Sequence, residues 1–108
     1  MIHYGLYGQQ HCISHDDLCG LNKETGGDYI ARAENSGCEG FYTEVARWSH
    51  QQDRWEKFCF TKFLGGEDTD HPDWTPKELA EHYAAAVNNA AGPEQAHLPL
   101  IHKLPTAT

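Results

Sequence analysis

Apolar and polar residues alternate at the start of the chain, which is the pattern of a strand with one buried face. The apolar side of this predicted strand consists of Ile2, Tyr4 and Leu6. A short helix is predicted next, at about residues 15–21, because Ser14 supplies an N-cap hydroxyl and an acid follows three residues later. Residues 28–34 alternate again and predict a second strand.

Residues 41–63 predict a β-hairpin, because two runs rich in β-branched and aromatic residues flank the polar pair Gln51 and Gln52. The register that this turn predicts pairs Trp48 with Trp55, Arg47 with Glu56, Val45 with Phe58, and Thr43 with Phe60. A helix is the alternative interpretation, since the aromatic spacing also approximates one helical stripe and the turn contains neither Gly nor Pro.

The two faces of this predicted hairpin differ in composition. The face typical of a core carries Phe41, Val45, Phe58 and Phe60. The other face carries Tyr42, Glu44, Ala46, Trp48, Trp55, Lys57 and Cys59. Large aromatic residues are frequent anchors of protein interfaces, so we predict partner-binding roles for Tyr42, Trp48 and Trp55. Burial of these rings by another segment is the alternative.

A second helix is predicted at about residues 76–91. Thr75 is placed as an N-cap, Pro76 occupies the first helical position and Glu78 the third. The residues after it, 93–108, predict an extended tail because prolines interrupt them. We therefore expect an α+β domain over residues 1–92, in which a small antiparallel sheet of three to four strands packs against both helices.

Composition narrows the expected location and partners of the chain. Its 108 residues carry a formal net charge of −8, which disfavours binding to nucleic acid or to anionic lipid. No apolar run is long enough to span a bilayer, and the first residues lack the pattern of a signal peptide. We therefore expect a cytoplasmic protein, in a bacterium or a phage-infected host, with its four cysteines reduced.

Cysteine and histidine suggest a metal site as an alternative function. Cys12, His15 and Cys19 offer thiolate and imidazole ligands, so a zinc-stabilised interaction module is one hypothesis. Their irregular spacing differs from the paired ligands of structural zinc sites. A Cys–His nucleophile would need a base in contact and a third orienting group, so we predict no catalytic residue, no enzyme activity and no obligatory cofactor.

Acidic residues cluster before the second helix. Glu67, Asp68, Asp70 and Asp73 lie in one loop and predict attraction to a basic protein surface. We expect that surface to belong to a nucleic-acid-handling complex, which the protein would inhibit without binding nucleic acid itself. In size and charge the chain is similar to small phage inhibitors such as anti-CRISPR and anti-restriction proteins, although no shared motif identifies a family.

A nucleic-acid-binding domain is a further alternative. Strands followed by an Ala-rich helix with Tyr83 resemble, in element order, the AP2/integrase-type DNA-binding domain. However, residues 41–63 carry four basic and three acidic residues, fewer cations than a DNA-reading sheet requires.

Overall fold

The computed structural model describes residues 2–6, 12–35, 40–64 and 71–92. The elements in chain order are β1 His3–Leu6, β2 Cys12–Ser14, α1 His15–Thr25, β3 Tyr29–Asn35, β4 Phe41–Ser49, β5 Arg54–Phe63 and α2 Pro76–Ala90. This is an α+β fold, as predicted, and over the described residues the sheet has five strands rather than three to four. The additional strand β2 has only three residues, too few for a period-2 pattern to be recognised.

The sheet has the strand order β2-β1-β5-β4-β3, and every neighbouring pair is antiparallel. Helix α2 packs on β3, β4 and β5, and α1 packs on α2 and β2. The buried core lies between these helices and one face of the sheet. We call the opposite face, which carries no described helix, the helix-free face.

The predicted hairpin is confirmed, but its register changes part-way along. Trp48 pairs with Trp55 and Arg47 with Glu56, as the turn predicts. A bulge then leaves Phe58 without a partner of its own, because Ala46 pairs with Lys57 and Val45 with Cys59. The predicted pairs of Val45 with Phe58 and of Thr43 with Phe60 are therefore wrong.

The bulge also exchanges the faces of the residues that follow it. Cys59, which the alternation placed on the mixed face, is buried in the core, and Phe60, predicted for the core, is 38% exposed. Thr61 rather than Phe60 pairs with Thr43. An extra residue in one strand leaves no trace in composition, so a pattern of period two cannot reveal it.

Both helices begin where their N-caps predict. Ser14 accepts a hydrogen bond from the Asp17 amide, and Thr75 forms a reciprocal capping box with Glu78. Helix α1 continues beyond the predicted residue 21 and ends at Gly26, whose φ of 72° is the left-handed conformation that glycine adopts freely. In the described part of the chain, neither helix has the length and apolarity needed to cross a membrane.

Two asparagine side chains cover the outer edge of β3. Asn88 of α2 accepts a hydrogen bond from the Ala31 amide at 2.8 Å and donates one to the Ala31 carbonyl at 2.9 Å. Asn22 of α1 accepts from the Tyr29 amide at 2.9 Å and donates to the Val87 carbonyl at 2.6 Å. The amides of Tyr29 and Ala31 and the carbonyl of Ala31 are thereby paired within the molecule.

Candidate protein-docking surfaces

The aromatic residues of the hairpin lie on the helix-free face. The rings of Trp48 and Trp55 meet edge to face with centroids 5.4 Å apart, and Trp55 is only 7% exposed because it packs with Ile30 and Ala46. Trp48 is half-buried. In this arrangement the Trp55 ring contributes mainly to packing, and its contact with a partner stays a prediction.

Tyr42 and Phe60 form a second aromatic pair on this face. Their ring centroids are 6.4 Å apart at an angle of 81°, and Tyr42 is half-buried. Glu44 follows on the same face and is 2% exposed. Neither carboxylate oxygen of Glu44 has a hydrogen-bond partner. Burial raises the pKa of this carboxyl, and Glu34 adds to the rise, while Arg32 and Lys57 oppose it.

The predicted acidic loop is described only in part. Glu67, Asp68 and Asp70 lie outside the described residues, and Asp73 is exposed ahead of α2. The role of all four in attracting a basic partner stays a prediction.

Helix α1 borders a shallow acidic groove that the sequence did not indicate. Its lining consists of Ile13, Asp16, Asp17, Gly20, Leu21 and Glu24, and we call this surface the acidic groove. The two apolar residues are half-buried and pack against the core, so they form its floor. The three acids are exposed and form its rim. An apolar floor with a negative rim is complementary to a basic segment that also has apolar side chains.

Two residues of this groove weaken the helix that carries them. Gly20 lies inside α1, where glycine is about 1 kcal/mol less favourable than alanine. A Cβ at this position would have no heavy atom within 4 Å, so packing does not require glycine. Glu24 lies in the last turn, where the helix dipole disfavours negative charge. A glycine in mid-helix and an acid at the helix end are the sequence signals that could have indicated a binding surface on α1.

The predicted metal ligands are brought together only in part. The Cys19 sulfur lies 3.5 Å from Nε2 of His15, while Cys12 is exposed on β2. Among the described residues, no group of three or more histidine, cysteine and acidic side chains is arranged to hold a metal ion. Zinc binding by Cys12, His15 and Cys19 stays a prediction.

Burial of the Cys19 and His15 side chains favours the neutral forms of both groups. Burial raises the pKa of the Cys19 thiol, with a further contribution from Asp16, and burial lowers the pKa of His15. A nucleophilic cysteine requires the opposite shifts, which produce a thiolate beside an imidazolium. Cys59 is also unsuited to this chemistry, since burial raises its pKa to about 12.

Comparison with protein-family models, with curated proteins and with solved structures finds no match to this chain.

Proposed function

We propose that this protein is a non-enzymatic acidic binding protein that docks on a basic surface of another protein through the acidic groove. The observation that supports this most directly is the combination of an apolar floor with three exposed acids. Charge attraction accelerates encounter, and burial of the floor then slows dissociation. The net charge of −8 acts in the same direction at longer range.

The presence of Gly20 supports docking rather than a purely structural role for α1. A side chain here would stabilise the helix and would also fill the groove. Retaining glycine therefore sacrifices stability in return for an open surface, a compromise common at binding sites. The neutral pair of Cys19 and His15 supports binding rather than nucleophilic catalysis.

The partner we propose is a protein of a nucleic-acid-handling complex. Clustered lysine and arginine form the electrostatic footprint of proteins that bind nucleic acid. A compact acidic protein bound there would exclude DNA or RNA, and inhibition is the consequence that we propose. The mode of action would be that of phage anti-defence proteins of the anti-CRISPR or anti-restriction type.

Substitution of Gly20 tests the groove. Gly20→Arg places a bulky cation between the acids, and we expect it to fold normally and to lose the partner. Gly20→Ala adds one methyl group, so it should raise the free energy of unfolding by up to about 1 kcal/mol and weaken partner retention, though less than Gly20→Arg does. Ala85→Arg, at an exposed position of α2, is the control for the added charge.

The measurement is capture of partners by the tagged protein from nuclease-treated bacterial lysate, quantified by mass spectrometry and repeated with each variant. A basic nucleic-acid-binding complex retained by wild type and Ala85→Arg, but not by Gly20→Arg, and released by added DNA, supports the proposal. Equal retention by Gly20→Arg would exclude the groove as the contact. Direct, salt-sensitive binding of the protein to DNA would favour a nucleic-acid reader instead.

A further inference from the structure

Three aromatic side chains form a compact cluster at the start of α2. The rings of His71 and Trp74 are stacked, with centroids 3.7 Å apart and planes inclined by 10°. The His82 ring is inclined to both of them, by 66° to His71 at a centroid distance of 5.6 Å and by 75° to Trp74 at 5.1 Å. The Trp74 amide donates a hydrogen bond to the His71 carbonyl at 3.2 Å and closes the turn that carries the two stacked rings.

The separation of the two imidazoles matches that of two histidines on one metal ion. A zinc–nitrogen bond is about 2.0–2.1 Å long, and a ring centroid lies about 1.2 Å behind its nitrogen. Two rings at the tetrahedral angle therefore have centroids about 5.4 Å apart. The observed separation of 5.6 Å is close to this value.

Packing holds one of the two imidazoles in place before any ligand arrives. Trp74 is half-buried and packs against the core cluster around Phe63 and Leu79, so its ring supports the stacked His71. His82 is exposed on α2, where solvent ions reach it. Restricting a ligand side chain in advance reduces the entropy lost on binding.

We propose that His71 and His82 form a binding site for a divalent transition-metal ion of the Zn²⁺, Ni²⁺ and Cu²⁺ class. Neutral imidazole is a preferred ligand of these ions, and water completes the coordination. The site uses other ligands than the Cys12, His15 and Cys19 that the sequence suggested, and His15 lies on the same Tyr83 ring as His82. It goes beyond the docking function, which rests on α1.

Calorimetric titration of the apo-protein with ZnCl₂ at about pH 7.5 tests the proposal. We expect His82→Gln and His71→Gln each to weaken the affinity at least tenfold. His50→Gln is the matched control, because His50 is an exposed histidine whose Nε2 lies 2.7 Å from Asp28. Circular dichroism establishes that each variant is folded.

Quenching of tryptophan fluorescence by Ni²⁺ provides a second readout, because the ion would lie next to the Trp74 indole. We expect quenching in wild type and His50→Gln and its loss in His82→Gln. Binding that survives His82→Gln but is lost in Cys12→Ser would place the metal at the cysteines and overturn the proposal, as would unchanged affinity in both histidine variants.

Discussion

Glu44 is a carboxylate that neither solvent nor a hydrogen-bond donor reaches. It is 2% exposed, both of its oxygens lack a partner, and the nearby Arg32 instead pairs with Glu34 at 3.1 Å. Ionising a carboxyl in such a place is costly, which is the physical cause of its raised pKa. The folded state therefore holds a proton on Glu44 more tightly than the unfolded chain does.

Replacing Glu44 by glutamine should change the pH dependence of stability. Because the folded pKa of Glu44 is raised, ionisation of this carboxyl lowers the stability of the wild-type protein as the pH rises through that pKa. The Glu44→Gln variant lacks this contribution because glutamine does not ionise. We expect the variant to gain free energy of unfolding relative to wild type as the pH rises above about 4, the ordinary pKa of a glutamate. Urea denaturation at several pH values measures this difference.

The control for this experiment is Glu81→Gln, which removes an exposed glutamate of α2. Its pH profile should run parallel to that of wild type. A parallel profile for Glu44→Gln as well would show that burial does not perturb the carboxyl at position 44.

The edge of β3 shows how a helix residue completes a sheet. A free edge strand presents unpaired amides and carbonyls that invite pairing with another chain. From α2, the Asn88 side chain hydrogen-bonds both the amide and the carbonyl of Ala31. From α1, the Asn22 side chain accepts a hydrogen bond from the Tyr29 amide. These asparagines, which are poor helix formers, therefore protect the sheet from intermolecular pairing.

Removing the Asn88 side chain should both destabilise the fold and expose this edge. Asn88→Ala leaves the Ala31 amide and carbonyl without their partner, so we expect a loss of about 1–3 kcal/mol in the free energy of unfolding. We also expect concentration-dependent association in sedimentation experiments. Asn89→Ala, at the exposed neighbouring position, should do neither. Full stability of Asn88→Ala would contradict the role assigned to this side chain.

Local signals in the sequence were sufficient for the elements whose determinants are local. The capping residues around Pro76 predicted the start of α2, and the polar turn predicted the pairing of Trp48 with Trp55. The prediction for residues 93–108 lies outside the described residues. The four-residue extension of α1 to Thr25 was missed because Asn22 is typical of a turn. Its contacts with β3 and α2 explain its place in a helix.

The candidate site was less predictable, because it depends on tertiary placement. Trp48 and Trp55 were correctly predicted as neighbours, but burial of Trp55 depends on Ile30 of another strand. The acidic groove is formed by Ile13 of β2 and one side of α1. Because β2 was not predicted, the groove could not be predicted either. The proximity of His71 and His82 was missed because it depends on how the turn before α2 packs against that helix.

At the scale of the whole molecule, the two described candidate surfaces lie on opposite sides of the sheet. The acidic groove belongs to the helical layer, while Tyr42 and Trp48 belong to the helix-free face. Glu34 and Glu44 share that face with Arg32, Lys57 and Lys62, so these residues carry more positive than negative charge. Long-range attraction to a basic partner is therefore expected to favour approach from the side of α1.

Ionic strength should affect the rate of docking more than the lifetime of the complex. Screening shortens the Debye length from about 10 Å at 0.1 M salt to about 3 Å at 1 M, which removes long-range attraction but leaves apolar contacts in place. We expect the association rate of the captured partner to fall steeply with added NaCl while its dissociation rate changes little. Surface plasmon resonance across a salt series measures both rates, and insensitivity of the association rate would argue against charge-guided docking.

The bulge at Phe58 determines which kinds of sequence change β5 can accept. Deleting this residue would join Lys57 directly to Cys59, so the pairs Ala46–Lys57 and Val45–Cys59 would become neighbours in a regular ladder. Cys59 and Phe63 would keep their places in the core. Loss of a residue after the bulge would instead turn Phe63 away from the helices, so during evolution β5 is more permissive to deletion at the bulge than beyond it.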